Sequence, residues 1–191
     1  MAALDSEQIC LKSPNLCLKS PAPEMAEAIL AYQQRNREFL TPWSPKVRQA
    51  FYTLAYQQSK ILQEMELLQT RRLLRLWISN PQQAPGQILG HVSFSNIVWG
   101  AFRSCFLGYS IDQAQLGRGY ATEAVATGVC YVFEQLRLHR IEANIMPRNQ
   151  ASIRVAEKLD FVCEGLSPKY LKINGVWEDH LHYVLRNLAL E

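Results

Sequence analysis

The chain has 191 residues, 48% of them hydrophobic and 19% charged, which fits one domain with a full-sized core and excludes disorder. A net charge of +3, from 20 Lys plus Arg against 17 Asp plus Glu, is too small and too dispersed to mark a nucleic-acid-binding surface. The five cysteines, Cys10, Cys17, Cys105, Cys130 and Cys163, contain no C-x-x-C pair and so give neither a disulfide framework nor a zinc site.

Taken in chain order, alternation of Leu16 and Leu18 with polar neighbours predicts a strand over 14–20, with 1–13 as a flexible extension. Helical spacing of Met25, Ala28, Ile29 and Tyr32 predicts a helix over 24–39. A rigid loop follows in which Trp43 stands between Pro42 and Pro45. A second amphipathic helix is expected over 46–68, with Val47, Phe51, Ile61, Leu62 and Met65 on its buried side. Three strand-like runs, 72–78, 87–98 and 104–111, joined by turn segments at 80–86 and 99–101, read as an antiparallel meander. Then come a helix over 117–136, a strand over 139–146 and a helix over 149–159 with Asn149 as its N-cap. A hairpin over 161–172 and 176–185, turning at Asn174-Gly175, completes the chain. The whole reads as one mixed α/β domain over 1–191. Leu11-Lys12-Ser13-Pro14 recurs as Leu18-Lys19-Ser20-Pro21, but two copies make no solenoid. No run is apolar and long enough to cross a bilayer, and no export signal is visible, so a cytoplasmic protein without membrane contact is expected.

The segment that carries chemistry runs from Gly108 to Glu123, where a strand ends, Gly117-Arg118-Gly119 makes a turn, and a helix begins. Two glycines let successive backbone N–H groups face one concavity, and the helix start adds partial positive charge there, which suits a pyrophosphate. The spacing is neither G-x-x-x-x-G-K-[ST] nor G-x-G-x-x-G. On spacing alone a tight turn feeding a closely packed helix explains the same residues.

This segment resembles the Q/R-x-x-G-x-G/A signature of the GNAT superfamily of N-acetyltransferases, with Gly117 and Gly119 at the two small positions. Ala114 stands where the signature has Gln or Arg, and Gln115 lies one residue late. The wider chain is similar to the RimJ and RimL branch of ribosomal-protein N-terminal acetyltransferases, nearest to RimJ. The blocks that carry this are Asn36 to Trp43, Phe94 to Val98, Leu107 to Ile111, His139 to Asn144, Pro147-Arg148-Asn149 with Ser152, Phe161 with Glu164-Gly165, and Ile173 to His180. Together they span about 14–185.

The resemblance implies a mixed, mostly antiparallel sheet of about seven strands, helices on both faces, and a V-shaped splay between the fourth and fifth strands that takes acetyl-CoA. Its pyrophosphate is expected on the backbone of Gln115, Leu116, Gly117, Arg118, Gly119, Tyr120 and Ala121. Its pantetheine arm is expected along the backbone of Tyr109, Ser110 and Ile111, with Asn149 as a further contact. Ser152 is the candidate to protonate the departing thiolate. Phe39, Trp43 and Asn96 are expected at the acceptor, and Glu164, Asp179 and His180 are the candidate bases. His180 and His182 lack a third metal ligand, so no metal is expected.

An amine must be neutral to attack a thioester. An α-amine of pKa near 7.8 is about one part in seven neutral at pH 7, against about one in 2,500 for a lysine near 10.4. A chain without an evident base therefore suits an N-terminal acceptor. The resemblance implies an Ala-starting ribosomal protein as acceptor and a monomer or homodimer; because no cysteine has an activating partner in sequence, direct transfer with no acetyl-enzyme is expected. A small-amine acetyltransferase and a non-catalytic acyl-CoA- or ribosome-binding factor are the alternatives.

Overall fold

The computed structural model describes residues 8–82 and 86–191. Eight strands form one sheet: β1 (Cys10–Lys12), β2 (Cys17–Lys19), β3 (Leu74–Ser79), β4 (Gly90–Val98), β5 (Ser104–Ile111), β6 (Arg140–Ile145), β7 (Val162–Ile173) and β8 (Val176–Arg186), in the order β1-β2-β3-β4-β5-β6-β8-β7. Every pairing is antiparallel except β5 with β6. The helices are α1 (Ala26–Arg35), α2 (Arg37–Leu40), α3 (Leu54–Gln69), α4 (Tyr120–Glu134) and α5 (Gln150–Lys158).

The sheet carries helices on both faces because β3 buries apolar side chains on both of its faces. Leu74, Leu76, Ile78, Val92 and Phe94 join the larger core with Val125 and Val129 of α4 and Ile153 of α5. Trp77 points the other way, into a second cluster with Ile29 and Tyr32 of α1 and Ile61 of α3. Gly128 lets α4 settle onto β4: a Cβ there would stand 2.8 Å from the Phe94 ring.

Several boundaries differ from the sequence reading. The extra strand arises because the segment read as one strand over 14–20 is the second half of a hairpin, and the repeated Leu-Lys pairs are its two strands, Leu11 opposite Leu18. The turn between them is held by the Glu123 carboxylate, which accepts from Ser13 Oγ at 2.6 Å, Asn15 N at 2.8 Å and Asn15 Nδ2 at 2.9 Å. Of the extension expected over 1–13, residues 1–7 lie outside the described residues and Cys10–Lys12 is an edge strand. The turn expected over 80–86 includes residues 83–85, also outside them.

The helix expected over 24–39 breaks at Asn36, whose side chain donates to the Tyr32 carbonyl at 3.0 Å and accepts from Gln113 N at 2.9 Å. The helix expected over 46–68 starts at Leu54, where Thr53 caps the N–H of Tyr56. Val47 and Leu62, expected in the core, are 42% and 60% exposed. Gln57 and Glu64 occupy buried positions of α3 beside Ile61.

The opening that defines the site comes from incomplete pairing. Strands β5 and β6 are in register only at Ser104, Cys105 and Phe106. Beyond Phe106, β5 continues on β4 to Ile111 while β6 stays with β8 to Ile145. The edge of β5 from Leu107 to Ile111 is therefore left without a β6 partner.

Candidate active site

Two cavities meet at this edge. One, of 240 Å³, is walled by Ile111 of β5, Leu116 and Ala121 at the start of α4, and Asn149, Ser152 and Val155 on α5, with Phe39 and Trp43 across from them. The other, of 590 Å³, lies among α1, the 44–52 segment, α3 and β3 to β5. Leu40, Ser44, Tyr109 and Ser110 line both.

The first cavity is suited to a long apolar arm ending in an anion. At its α4 end Gly117 and Gly119 have φ of +75° and +78°, and a Cβ at either would meet nothing within 4 Å, so the turn is open to a ligand. Gly119 is the N-cap of α4. That 15-residue helix directs its dipole and first N–H groups to this turn. Gln115 has a buried Oε1 with no hydrogen-bond partner. The unpaired edge of β5 offers backbone groups along the same path. At the α5 end Asn149 Oδ1 accepts from Ser152 N at 3.1 Å, fixing the helix start. Tyr109 donates its phenol to the Ser152 carbonyl at 3.2 Å. Burial pushes that phenol up to about 12, so it stays protonated at neutral pH.

The second cavity is the more polar of the two, and basic. Trp77, His91 and Ser110 are successive partners across β3, β4 and β5. His91 Nδ1 lies 2.9 Å from Ser110 Oγ, and that hydroxyl lies 2.8 Å from Tyr32 OH. Burial, with the Arg75 and Lys60 cations adding to it, holds the imidazole well below its ordinary 6.5, so His91 is neutral at pH 7. Arg75 Nε and Lys60 Nζ lie 2.8 Å and 3.8 Å from one oxygen of the buried Glu64. Burial lowers the Lys60 pKa, Arg75 lowers it further, and Glu64 opposes both.

One cation holds the cleft's rim. Arg148 donates to the Pro42 carbonyl at 2.8 Å and to Glu178 at 3.0 Å, with its guanidinium 4.7 Å from the Trp43 ring centre. It thereby ties the loop after α2 to the hairpin of β7 and β8, and Asn174 N reinforces the join by donating to the Ser44 carbonyl at 2.9 Å. At the end of β5, Asp112 accepts from Arg35 Nε at 2.5 Å and from Ala114 N at 3.0 Å. Arg35 also donates to the Ile88 carbonyl.

Of the residues singled out from sequence, Tyr109, Ser110, Ile111, Leu116, Ala121, Asn149 and Ser152 come together on the first cavity. Gly117, Arg118 and Gly119 form the adjoining turn, and Arg118 projects outward, exposed. Tyr120 differs in kind, because its side chain is buried and accepts from Asn80 Nδ2 at 3.2 Å. Phe39 and Trp43, expected at the acceptor, line the first cavity, which α5 also walls. Asn96 is not brought to either cavity. It sits at the bulge of β4 with φ +50°, beside a separate depression with Leu67, Arg72 and Val98.

None of the three candidate bases lines either cavity. Glu164 is exposed and paired with Arg140 at 2.7 Å, a hydrogen bond that lowers its pKa. Asp179 accepts from Lys169 N at 2.9 Å on the outer hairpin. His180 is 2% exposed, with Nδ1 3.0 Å from the Glu178 carbonyl. Among the described residues no group of three or more His, Cys, Asp or Glu is placed to hold a metal. The sequence reading missed His91, Tyr32, Lys60, Arg75 and Arg148. For His91 a signal existed: period-two alternation sets it on the face opposite Val92 and Phe94.

A sheet parted between two parallel strands, with a glycine turn and helix start at one end of the gap and a basic cavity at the other, suits an acyltransferase with a long, anionic acyl carrier. The acetyltransferase (GNAT) domain family matches residues 15–162, and the chain belongs to that family. It is 41% identical over 155 residues to the probable N-acetyltransferase YjcK of Bacillus subtilis, covering 81% of this chain and 84% of that one. It is 34% identical over 150 residues to the ribosomal protein uS5-alanine N-acetyltransferase of Escherichia coli, covering 78% and 76%. The crystal structure of the ribosomal-protein-S5-alanine acetyltransferase of Vibrio fischeri superposes with a TM-score of 0.91 at 33% identity, covering 96% of this chain and 99% of that one. The protein is therefore an N-acetyltransferase, and acetyl-CoA is the acetyl donor of its family. No helix among the described residues is long and apolar enough to cross a membrane.

Proposed function

We propose that the protein acetylates the α-amine of a protein N-terminus, in the cytoplasm, with an Ala-starting ribosomal protein as its target. The observation that carries this reading is the junction of the two cavities at Tyr109 and Ser110, which lets an acceptor chain enter opposite the acetyl donor. The similarity to uS5-alanine N-acetyltransferases points to the target.

In this reading the α4 start with Gly117 and Gly119 holds the pyrophosphate of the donor, and the free edge of β5 holds its pantetheine arm. Acetyl-CoA supplies an activated thioester carbonyl. Among the described residues neither cavity is lined by a carboxylate or a cysteine, and Cys105 is buried with its thiol pushed up to about 12. Transfer is accordingly direct, to an amine that is already neutral for about one molecule in seven at pH 7. Water carries the proton from the amine to Ser152, whose hydroxyl passes its own proton to the leaving thiolate, so the serine ends neutral. Tyr109 and Asn149 are positioning residues for Ser152, through its carbonyl and its N–H.

The test is thiol release from acetyl-CoA with short peptides beginning Ala, Ser or Met, a blocked Ala peptide carrying an internal Lys, and spermidine. Turnover on free Ala or Ser peptides and none on the blocked one is expected. Turnover on spermidine alone would overturn the reading in favour of a small amine. With the best peptide, Ser152→Ala should lower kcat by about 100-fold, with the KM for acetyl-CoA within about twofold of wild type.

A further inference from the structure

We propose that the acceptor cavity selects substrates carrying a carboxylate within a residue or two of the amine, held by Lys60 with Arg37 and Arg75. The inference rests on the proposal that this cavity takes the acceptor, and it adds the chemical class.

The argument is one of charge and enclosure. Arg37, Lys46, Lys60 and Arg75 all line the 590 Å³ cavity, and among the described residues no Asp or Glu does. The one carboxylate among them, Glu64, is 4% exposed and lies behind Lys60 and Arg75. It compensates one of four positive charges. Arg75 Nε is buried and, although 2.8 Å from the Glu64 oxygen, makes no well-aligned hydrogen bond. Lys60 is nearer to sharing than to pairing, with its ammonium 3.8 Å from Glu64 and 5.0 Å from the centre of the Phe51 ring. Burial and then Arg75 disfavour the charged form of Lys60, and Glu64 offsets them only in part.

A cavity with this surplus repels a bare ammonium and attracts an anion. An acceptor bearing a carboxylate beside its amine satisfies both conditions: the anion occupies the cations, and the residual positive field favours the neutral, nucleophilic form of the amine. The junction at Tyr109 and Ser110 leaves that amine facing the donor cavity. A lysine or arginine at the same place in the acceptor would add a fifth cation to the cavity.

The carboxylate could belong to an acidic side chain near a peptide N-terminus or be the α-carboxylate of a free amino acid, and binding separates them without requiring turnover. The probes are acetyl-Ala-Asp amide, acetyl-Ala-Lys amide, acetyl-Ala-Ala amide and N-acetylalanine, titrated by calorimetry into CoA-loaded enzyme at low salt. The Asp peptide should bind about tenfold more tightly than the Ala peptide, and the Lys peptide more weakly than either. Lys60→Gln and Arg37→Gln should each cut that preference about fivefold, and the preference should shrink as salt is raised. Arg75 remains beside Glu64 in both variants, so neither strands the buried carboxylate. Tighter binding of N-acetylalanine than of the Asp peptide would make the selected carboxylate that of an amino acid. Equal affinity for the Asp, Ala and Lys peptides, or a preference untouched by both substitutions, overturns the inference. Thiol release with the unblocked peptides is scored separately, and its failure with anion selectivity intact sinks the N-terminal reading alone.

Discussion

Ser110 Oγ lies between His91 Nδ1 at 2.9 Å and Tyr32 OH at 2.8 Å, so one hydroxyl joins the neutral imidazole of β4 to α1 at the point where the two cavities meet. Because β3, β4 and β5 are in register at Trp77, His91 and Ser110, this link is set by strand pairing. Its consequence is a pH signature. The native state resists protonating His91, whose pKa lies well below 6.5, while the unfolded chain takes up that proton. Stability is therefore complete above about pH 6.5 and falls as pH drops below it. Urea unfolding at pH 7.5 and 5.5 should show a loss of about 1 kcal/mol on this account, absent in His91→Asn. An equal loss in the variant would show that His91 does not carry it.

The carboxylate at the end of β5 titrates in a different window. Burial works to raise the Asp112 pKa, but the Ala114 N–H, Asn36 and Arg35 outweigh it and hold it below its ordinary 3.8. Its stabilisation is thus present above pH 3.8 and is lost as pH falls through the lower native value. Asp112→Asn should cost about 2 kcal/mol at pH 7, with Arg35 a third exposed and partly screened. Acid unfolding of the variant between pH 4 and 2 should be shallower than that of the wild type.

At Gly119 the expected cost falls on the donor more than on the fold. The residue has φ +78° and open space where a Cβ would go, so Gly119→Ala adds strain of about 1 kcal/mol without a clash. The KM for acetyl-CoA should rise about tenfold while the melting temperature drops by only a few degrees. A variant with unchanged KM would remove the turn from the donor site.

Gly128 presents the opposite case, since its Cβ would press on the Phe94 ring at 2.8 Å. Gly128→Ala should destabilise by about 1–3 kcal/mol. Chemical denaturation reads the loss, and KM values measured below the transition should stay near wild type.

Removing the clamp should loosen both sides of the cleft. Arg148→Ala frees Trp43, the Pro42 carbonyl and Glu178 together. Both KM values should rise several-fold while kcat changes less than threefold, because Arg148 lines neither cavity. Unchanged KM values would show that the loop after α2 holds its place without the guanidinium.

The parts of this protein legible in its chain are those governed by local rules. Alternation located β3 to β6, helical spacing located α1, α4 and α5, and Asn174-Gly175 marked the last turn. The glycine turn and Asn149 were likewise readable, since positive φ and an N-cap depend on single residues. The break at Asn36 and the hairpin of β1 and β2 were not, because their partners, Gln113 and Glu123, lie 77 and about 108 residues away in sequence.

The basic cavity belongs wholly to the tertiary structure. Arg37 at the start of α2, Lys60 on α3, Arg75 on β3 and His91 on β4 each look like an ordinary surface or strand residue in the sequence. Only packing of α3 against β3, and cross-strand register, bring these side chains to one cavity. The same holds for the candidate bases: Glu164, Asp179 and His180 sit on a hairpin whose tip reaches the cleft at Asn174 while their side chains do not line it. Backbone conformation is fixed by neighbours along the chain, but the field at a site is fixed by neighbours in space.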